Sequence, residues 1–404
     1  MTAAGRILAA CFAGLLLTLG CQAPPKPPAP PESPLVRLEP SDYPDFGDDL
    51  NFEGLDAAIG QSLVYLQRLP PERELEFGPD RYTAAHLLTS LVRLREIVRL
   101  RPDAAELRRL LGSEFRVYRS VGRDGRGEVL FTGYYEPLIR ASLRPSAEFA
   151  HPIYARPSDL LTIDLGAFSE KLKGERVVGR LQQNTVVPYH DRREIEEGDA
   201  LRGKAVPLAW AHDPVDVYFL QVQGSGRLAL ENGETRPIGY DAANGRPYRS
   251  IGRLLVDEGK MTLEESSMQR IRDYLARNPS EVRRILNSNP SYVFFRFTPD
   301  GPFGNLNVPL TPGRSLALDR RLFPPAAPAF IDTWRPVDES TDPPGRYVTC
   351  RRFVLNQDTG GAITGPGRAD IFWGAGTYAE LAAGHLKHPG TLHLLVLKPG
   401  AATP

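Results

Sequence analysis

The chain has 404 residues, 41% of them hydrophobic and 24% charged, which is enough for a substantial packed core and for more than one domain of ordinary size. Its 49 basic and 49 acidic residues cancel, so the excess cation on which nucleic-acid binding draws is missing and nothing in the totals asks for a nucleic-acid partner. The 38 prolines and 37 glycines favour loop-rich β architecture over a helical bundle.

Arg6 is followed by an apolar run from Ile7 to Leu19 that ends in Thr18-Leu19-Gly20-Cys21. The run is shorter than the roughly 20 residues of a membrane span, so residues 1–20 read as a lipoprotein signal peptide. The small residue before Cys21 resembles a lipobox, although Thr18 stands where leucine is usual. Cys21 is therefore the expected lipidation site, with a plain secretory signal as the alternative. Residues 21–40 read as a Pro-rich tether, stiff enough to hold a domain off a bilayer. Cys350 is then the only cysteine of the mature domain, expected to be a buried strand residue with no disulfide.

Residues 40–80 look irregular apart from a short helix around Leu55 to Leu69. Leu87, Leu88, Leu91, Leu94, Ile97 and Val98 recur at helical spacing, and Asp103 with Glu106 has the pattern of a capping box for the next helix. From Glu128 the character becomes β: Val129 to Pro137 reads as a strand ending in a turn. Short β-like pieces follow at Ile153-Tyr154 and Val186 to Tyr189, then an expected strand over Val217 to Gln223. Helices are predicted again from Ser250 to Glu258 and, behind a Thr262/Glu265 capping box, through Met268, Ile271 and Leu275. Strands over Tyr292 to Phe297, Tyr347 to Leu355, Ile371 to Trp373 and Thr391 to Leu397 complete the chain.

Metal chemistry finds no support, because the seven histidines form neither HExxH nor any other ligand spacing, and His385 and His388 read as solvated. Gln223-Gly224-Ser225-Gly226 lacks the glycine that a nucleophile elbow needs, so Ser225 is not a nucleophile. On the expected strand, alternation puts Gln221 and Gln223 on one face, where amides suit sugar hydroxyls; plain surface polarity explains them equally well. Asp358 and Asp370 lie twelve residues apart among glycines and β-prone apolar residues. Ile371, Phe372 and Trp373 would raise the pKa of Asp370 toward that of a working general acid, and Trp373 could stack on a sugar ring. Arg368 pulls the other way, and either aspartate could instead be an Asx-turn or cap.

Several segments carry a resemblance: Phe131 to Pro137, Tyr218 to Gly226, Gly239-Tyr240 with Asn244 to Tyr248, Asn289 to Arg296, Pro309 to Ala317, and Asp358 to Gly374. Together and in this order the chain resembles the murein lytic transglycosylase A family, the Gly-Pro-Gly-Arg-Ala insert before Asp370 being the main departure. The resemblance implies a mainly β fold with flanking helices: a double-psi β-barrel domain from residues 41–137 and 223–404, a smaller β-barrel-like domain inserted at 138–222, and a groove between them. It implies a lytic transglycosylase that cleaves the bond between N-acetylmuramic acid and N-acetylglucosamine of peptidoglycan to give 1,6-anhydro ends. Asp370 is then the catalytic acid and Asp358 its neighbour. Tyr134, Tyr135, Gln221, Gln223, Gly224 and Ser225 line the groove, with no cofactor and no metal. Partners are glycan strands, a membrane reached through the lipid anchor, and other cell-wall enzymes. Gln22 after the cysteine leans toward an outer-membrane lipoprotein facing the periplasm.

A single acid suffices physically. Attack by the muramyl O6 hydroxyl is intramolecular, with an effective molarity on the order of 10⁵ M when aligned, which replaces the second carboxylate of most glycosidases. Three other readings remain open. A hydrolase on the same barrel would use Asp358 to activate water. A dimeric aspartic protease is spelled by Asp358-Thr359-Gly360. A non-catalytic wall-binding lipoprotein would tolerate loss of Asp370.

Overall fold

The computed structural model describes residues 33–299, 301–337 and 343–400. The signal peptide, Cys21 and the proline run that follows it lie outside the described residues. The last part of the segment read as a tether is not a tether, because Leu35–Arg37 is a strand paired antiparallel with Phe115–Ser120, Leu35 opposite Ser120.

Six strands close into a barrel. Val129–Glu136 lies beside Arg368–Ala375, followed by Ser315–Ala317, Tyr347–Asp358, Pro328–Pro336 and Lys387–Leu397. The last returns to the first by pairing Lys387 with Thr132 and Gly390 with Val129. Two neighbouring pairs run parallel (129–136 with 368–375, and 315–317 with 347–358) and the others antiparallel. This is the closed six-stranded barrel that the double-psi expectation requires. Phe131, Leu316, Phe330, Phe353, Ile371 and Leu394 all belong to its core. The N-terminal segment is tied to it from outside: Arg314, fully buried, donates to both oxygens of Asp48 at 2.6 and 2.8 Å, and Arg352 likewise holds Asp49.

A second six-stranded sheet runs in the order Val293–Phe297, Thr235–Ala243, Ser225–Leu230, Leu138–Ser142, Pro207–Ala211, His151–Tyr154, and its ends meet at a bridge between Ala155 and Phe295. It has its own core of Ile139, Leu228, Ile238 and Phe295, among others. The inserted β unit therefore does not stop at residue 222, since three of its six strands lie between Ser225 and Phe297. The boundary fails because Pro214–Gln223 is a helix, not a strand. Asp213 caps it by accepting from the Val215 amide, Pro214 occupies the first turn, and Gly224 ends it at φ +79°. These end signals outweigh the β-propensity of its valines and aromatics.

The helices Ala84–Arg99, with Thr83 as cap, and Ala104–Glu114, with Asp103 accepting from the Glu106 amide, form as predicted, as does Ile251–Asp257 behind Ser250. Thr262 and Glu265 do make reciprocal hydrogen bonds, but around a single turn. The helix Met268–Arg277 starts later, capped by Ser267. In the stretch read as irregular, Glu74–Phe77 and Asp80–Thr83 pair as a hairpin.

Candidate active site

Four strands of the first barrel bring the candidate residues into one row. Thr132 is in register with Asp370, Asp370 with Ala317, and Ala317 with Asp358. Residues in register across neighbouring strands share a face, so both carboxylates point the same way. Their backbones lie two strand spacings apart, roughly 9–10 Å, with only the Ala317 methyl between them. Phe131, Leu316, Ala369 and Ile371, each next to a member of the row, belong to the main core, so the row lies on the opposite face. Tyr134 and Phe372, in register with each other, continue that face with ring centroids 5.2 Å apart and form a small apolar cluster with Ala317 and Leu310.

The carboxylates are hydrogen-bonded differently. Asp358 accepts three hydrogen bonds: from the Tyr134 hydroxyl on Oδ2 at 2.8 Å, and from the Asn305 and Thr359 amides on Oδ1 at 2.8 and 2.9 Å. Asp370 accepts from Thr132 Oγ1 at 2.7 Å. Burial pushes both up to about 6. For Asp370 the Thr132 bond and the Arg368 charge oppose the rise, and the charge of Asp358 adds to it. Tyr134 is raised well above the usual phenol range by burial and by Asp358, so it stays a neutral donor. Three donors oppose the rise at Asp358 without cancelling it and occupy both its oxygens, whereas Asp370 accepts from one donor and keeps lone pairs free to carry a proton outward.

Other expected site residues lie elsewhere. Trp373 is 7% exposed and belongs to the main core, with Arg352 over its ring at 5.7 Å and Tyr378 edge-on to it. It presents no face to a sugar, because it follows the inward phase of Ile371. The close packing also explains Gly133, where a Cβ would lie 2.5 Å from the indole nitrogen. Tyr135 is a core residue too, its amide donating to Gln223 Oε1. Gln221 and Gln223 do not share a face, since two residues on a helix turn through roughly 200°. Gln221, 6% exposed, accepts from Arg192, whose guanidinium stacks over Tyr218 and Tyr292. Gly224 is the helix end, and Ser225, buried, opens the next strand. Tyr134, Asp358 and Asp370 are thus brought together, and Gln223 and Gly224 shape the turn beside Tyr135.

Sequence reasoning missed Thr132, Ala317, Tyr240 and Tyr248. Both tyrosines, 51% and 36% exposed, belong to the inserted unit and feel charges of the first barrel, Tyr240 that of Arg320 and Tyr248 that of Arg368. Their signal was available, since each lies in a segment singled out above. Cys350 is buried as expected, its thiol pushed up to about 11 by burial. Among the described residues no group of histidine, cysteine and carboxylate side chains could hold a metal ion.

Residues 130–296 match the MltA specific insert domain, and residues 314–396 match the 3D domain. The membrane-bound lytic murein transglycosylase A of Escherichia coli K12 is 35% identical over 283 residues, 69% of this chain and 69% of that protein. The crystal structure of a membrane-bound lytic murein transglycosylase from Agrobacterium tumefaciens superposes with a TM-score of 0.73 at 33% identity, covering 90% of this chain and 97% of the other. That of E. coli MltA with bound chitohexaose gives 0.69 at 27% identity, covering 92% and 96%.

Proposed function

Because the chain belongs to the membrane-bound lytic murein transglycosylase A family, and is a lytic transglycosylase acting on peptidoglycan, we propose that Asp370 makes both proton transfers of its reaction. In the first, protonated Asp370 donates to the oxygen joining N-acetylmuramic acid to N-acetylglucosamine as that bond breaks. In the second, the same carboxylate takes the proton from the muramyl O6 hydroxyl as it attacks C1. The proton count closes, no water enters, and the product ends in a 1,6-anhydro ring.

The observation that carries this reading is the unequal hydrogen bonding of the two carboxylates. Burial lifts both to about 6, but Asp358 is tied down by Tyr134, Asn305 and Thr359 and makes a poor base for water, whereas Asp370 has one donor and free lone pairs. Asp358 then serves as a fixed negative charge near the developing oxocarbenium ion. Thr132 orients Asp370. Tyr240 and Tyr248 offer exposed rings for sugars, in keeping with a relative that binds chitohexaose.

The protein works at a membrane surface, held by a lipid on Cys21 and facing the periplasm from the outer membrane. Relatives named membrane-bound support this, and among the described residues no helix is long and apolar enough to cross a membrane.

The test is mass spectrometry of peptidoglycan digested by the soluble domain and by Asp370→Asn. Anhydro-muramyl ends that vanish in the variant are expected. Reducing ends would instead favour a hydrolase in which Asp358 activates water, a reading supported by the placing of both carboxylates on one face, two strands apart. No products from either protein would mean a binding protein.

A further inference from the structure

Within the inserted unit, Leu161–Asp164 and Thr185–Pro188 both pair antiparallel with Arg176–Gln182 to make a third, three-stranded sheet. Its register sorts the side chains into two faces. Leu161 and Pro188 lie opposite Gly179, Ile163 opposite Val177, and Val186 opposite Leu181, so alternation gathers all of them on one face. Val178 and Arg180 belong to the other. That second face is the packed one: Val178 lies against the buried cluster of Tyr189, Tyr292 and Phe294. It also comes so close to Gly245, at φ +73°, that a Cβ there would lie 2.6 Å from it.

The first face carries no polar side chain, and it is open. Leu161, Val177, Val186 and Leu181 are 38%, 43%, 41% and 61% exposed, and the connection between the first two strands adds Phe168 at 77% and Leu172 at 40%. Six of the nineteen large hydrophobic side chains exposed among the described residues thus fall between Leu161 and Val186. Single exposed apolar residues are ordinary, but a sheet face made of nothing else marks a contact surface.

Area and reach choose the occupant. Three short strands abreast cover roughly 200 Å², whereas a stable protein interface takes about 800 Å² from each partner. The face is too small to hold a second copy or another protein from dilute solution, but large enough for an occupant kept close by a separate link. The chain has such a link to a bilayer. From Cys21, the lipidation site of the reading above, to Ser33, where the described fold starts, the chain spans at most roughly 40 Å, so acyl chains stay within reach of the folded unit. On the strand connection Lys171 and Lys173 are matched by Glu170 and Glu175, so the contact neither needs anionic lipid nor is repelled by it. We propose that the face of Leu161, Ile163, Val177, Leu181, Val186 and Pro188 rests on the phospholipid bilayer that carries the anchor, as a second and reversible membrane contact. The inference rests on the anchoring reading above and adds to it the side of the inserted unit that meets the lipid.

The experiment mixes residues 22–404, which keep every described residue but lack the acylated cysteine, with vesicles of phosphatidylethanolamine and phosphatidylglycerol. Cys350 is then the one cysteine left and is buried, so an environment-sensitive fluorophore on Leu181→Cys reports this face alone. With excess lipid its emission is expected to shift to the blue, and the unlabelled protein to sediment with the vesicles. Leu181→Ser/Val186→Ser should lower the partition coefficient at least about tenfold, with melting curves and anhydro-end formation on isolated peptidoglycan unchanged. Leu100→Ser, at a position 76% exposed but outside this face, should partition like the unaltered protein, and added salt should change little. No blue shift and no sedimentation, an equal loss in Leu100→Ser, or a shift that follows protein concentration without lipid, as a second copy would give, would each overturn the bilayer contact. The anchor is read separately, by the mass of full-length protein purified from envelopes. Absence of acyl groups on Cys21 would overturn the link and, with it, the choice of a bilayer as occupant.

Discussion

A carboxylic acid that is to donate a proton near neutrality must be costly to ionise, and Asp370 meets that demand at the expense of stability. Its pKa in the folded protein is about 6, against an ordinary 3.8, with burial the main cause. A raised carboxylate binds its proton more tightly folded than unfolded, so stability falls as pH rises from about 4 to about 6 and is flat beyond. Asn in its place has no proton to lose and can still accept from Thr132. Asp370→Asn is therefore expected to match the unaltered protein below pH 4 and to exceed it above pH 7 by about 1–3 kcal/mol, while activity drops by roughly 10²–10⁴. Thermal unfolding across that range checks the first part, and a melting difference that ignores pH would contradict it. Arg368 provides the second handle, because its charge holds Asp370 down. In Arg368→Gln the alkaline limb of kcat/KM should move to higher pH by up to about one unit. A pH-rate profile measures it, and a shift to lower pH would remove Arg368 from the electrostatics of the acid.

At the scale of single elements, the three-residue strand Ser315–Ala317 is what makes the site. It separates the strands bearing Asp358 and Asp370 and places only a methyl between the two carboxylates. Ala317→Leu would push a branched side chain into that gap. The expected stability cost is about 1–3 kcal/mol, and kcat/KM should fall by at least about tenfold at a temperature where circular dichroism finds the protein folded. Undiminished activity would mean that the substrate does not use the space above Ala317. A strand this short has no periodicity to read, which is why the sequence could flag Asp358 and Asp370 separately but not their shared face. Thr132 was invisible for a related reason, its partnership with Asp370 spanning 238 residues. The long barrel strands were legible from their apolar and β-branched runs. The inward phase of Trp373 was legible too, since alternation from Asp370 assigns the carboxylate face to Phe372. The helix Pro214–Gln223 carried its cap, its proline and its terminal glycine in plain sight, and only the weight given to its valines and aromatics turned it into a strand. That one error displaced Gln221 from its partnership with Arg192 and shortened the inserted unit by three strands.

For the molecule as a whole, the question is whether the inserted unit is a separate body. Its sheet has a core of its own, around Leu228 and Ile238. Its helices are shared: Val217 and Leu220 pack into that sheet core, whereas Tyr218, Phe219, Leu255, Ile271, Leu275 and Ile285 belong to the same cluster as the first barrel. Unfolding the insert would therefore open the larger core and expose apolar surface worth roughly 1.5–3 kcal/mol for each such side chain. That coupling argues for one cooperative transition in which both cores melt together, despite a length at which separate domain transitions are common. It predicts that Leu228→Ala, in the smaller core, and Leu255→Ala, in the shared one, each cost about 2–5 kcal/mol and move one common melting temperature. Differential scanning calorimetry is the measurement, with the ratio of calorimetric to van't Hoff enthalpy expected near one for all three proteins. If Leu228→Ala instead split the endotherm, leaving the barrel transition in place, the small core would be an independent folding unit. The helices would then stay docked on the barrel through Tyr218, Leu255 and Leu275 while the sheet of the insert melted.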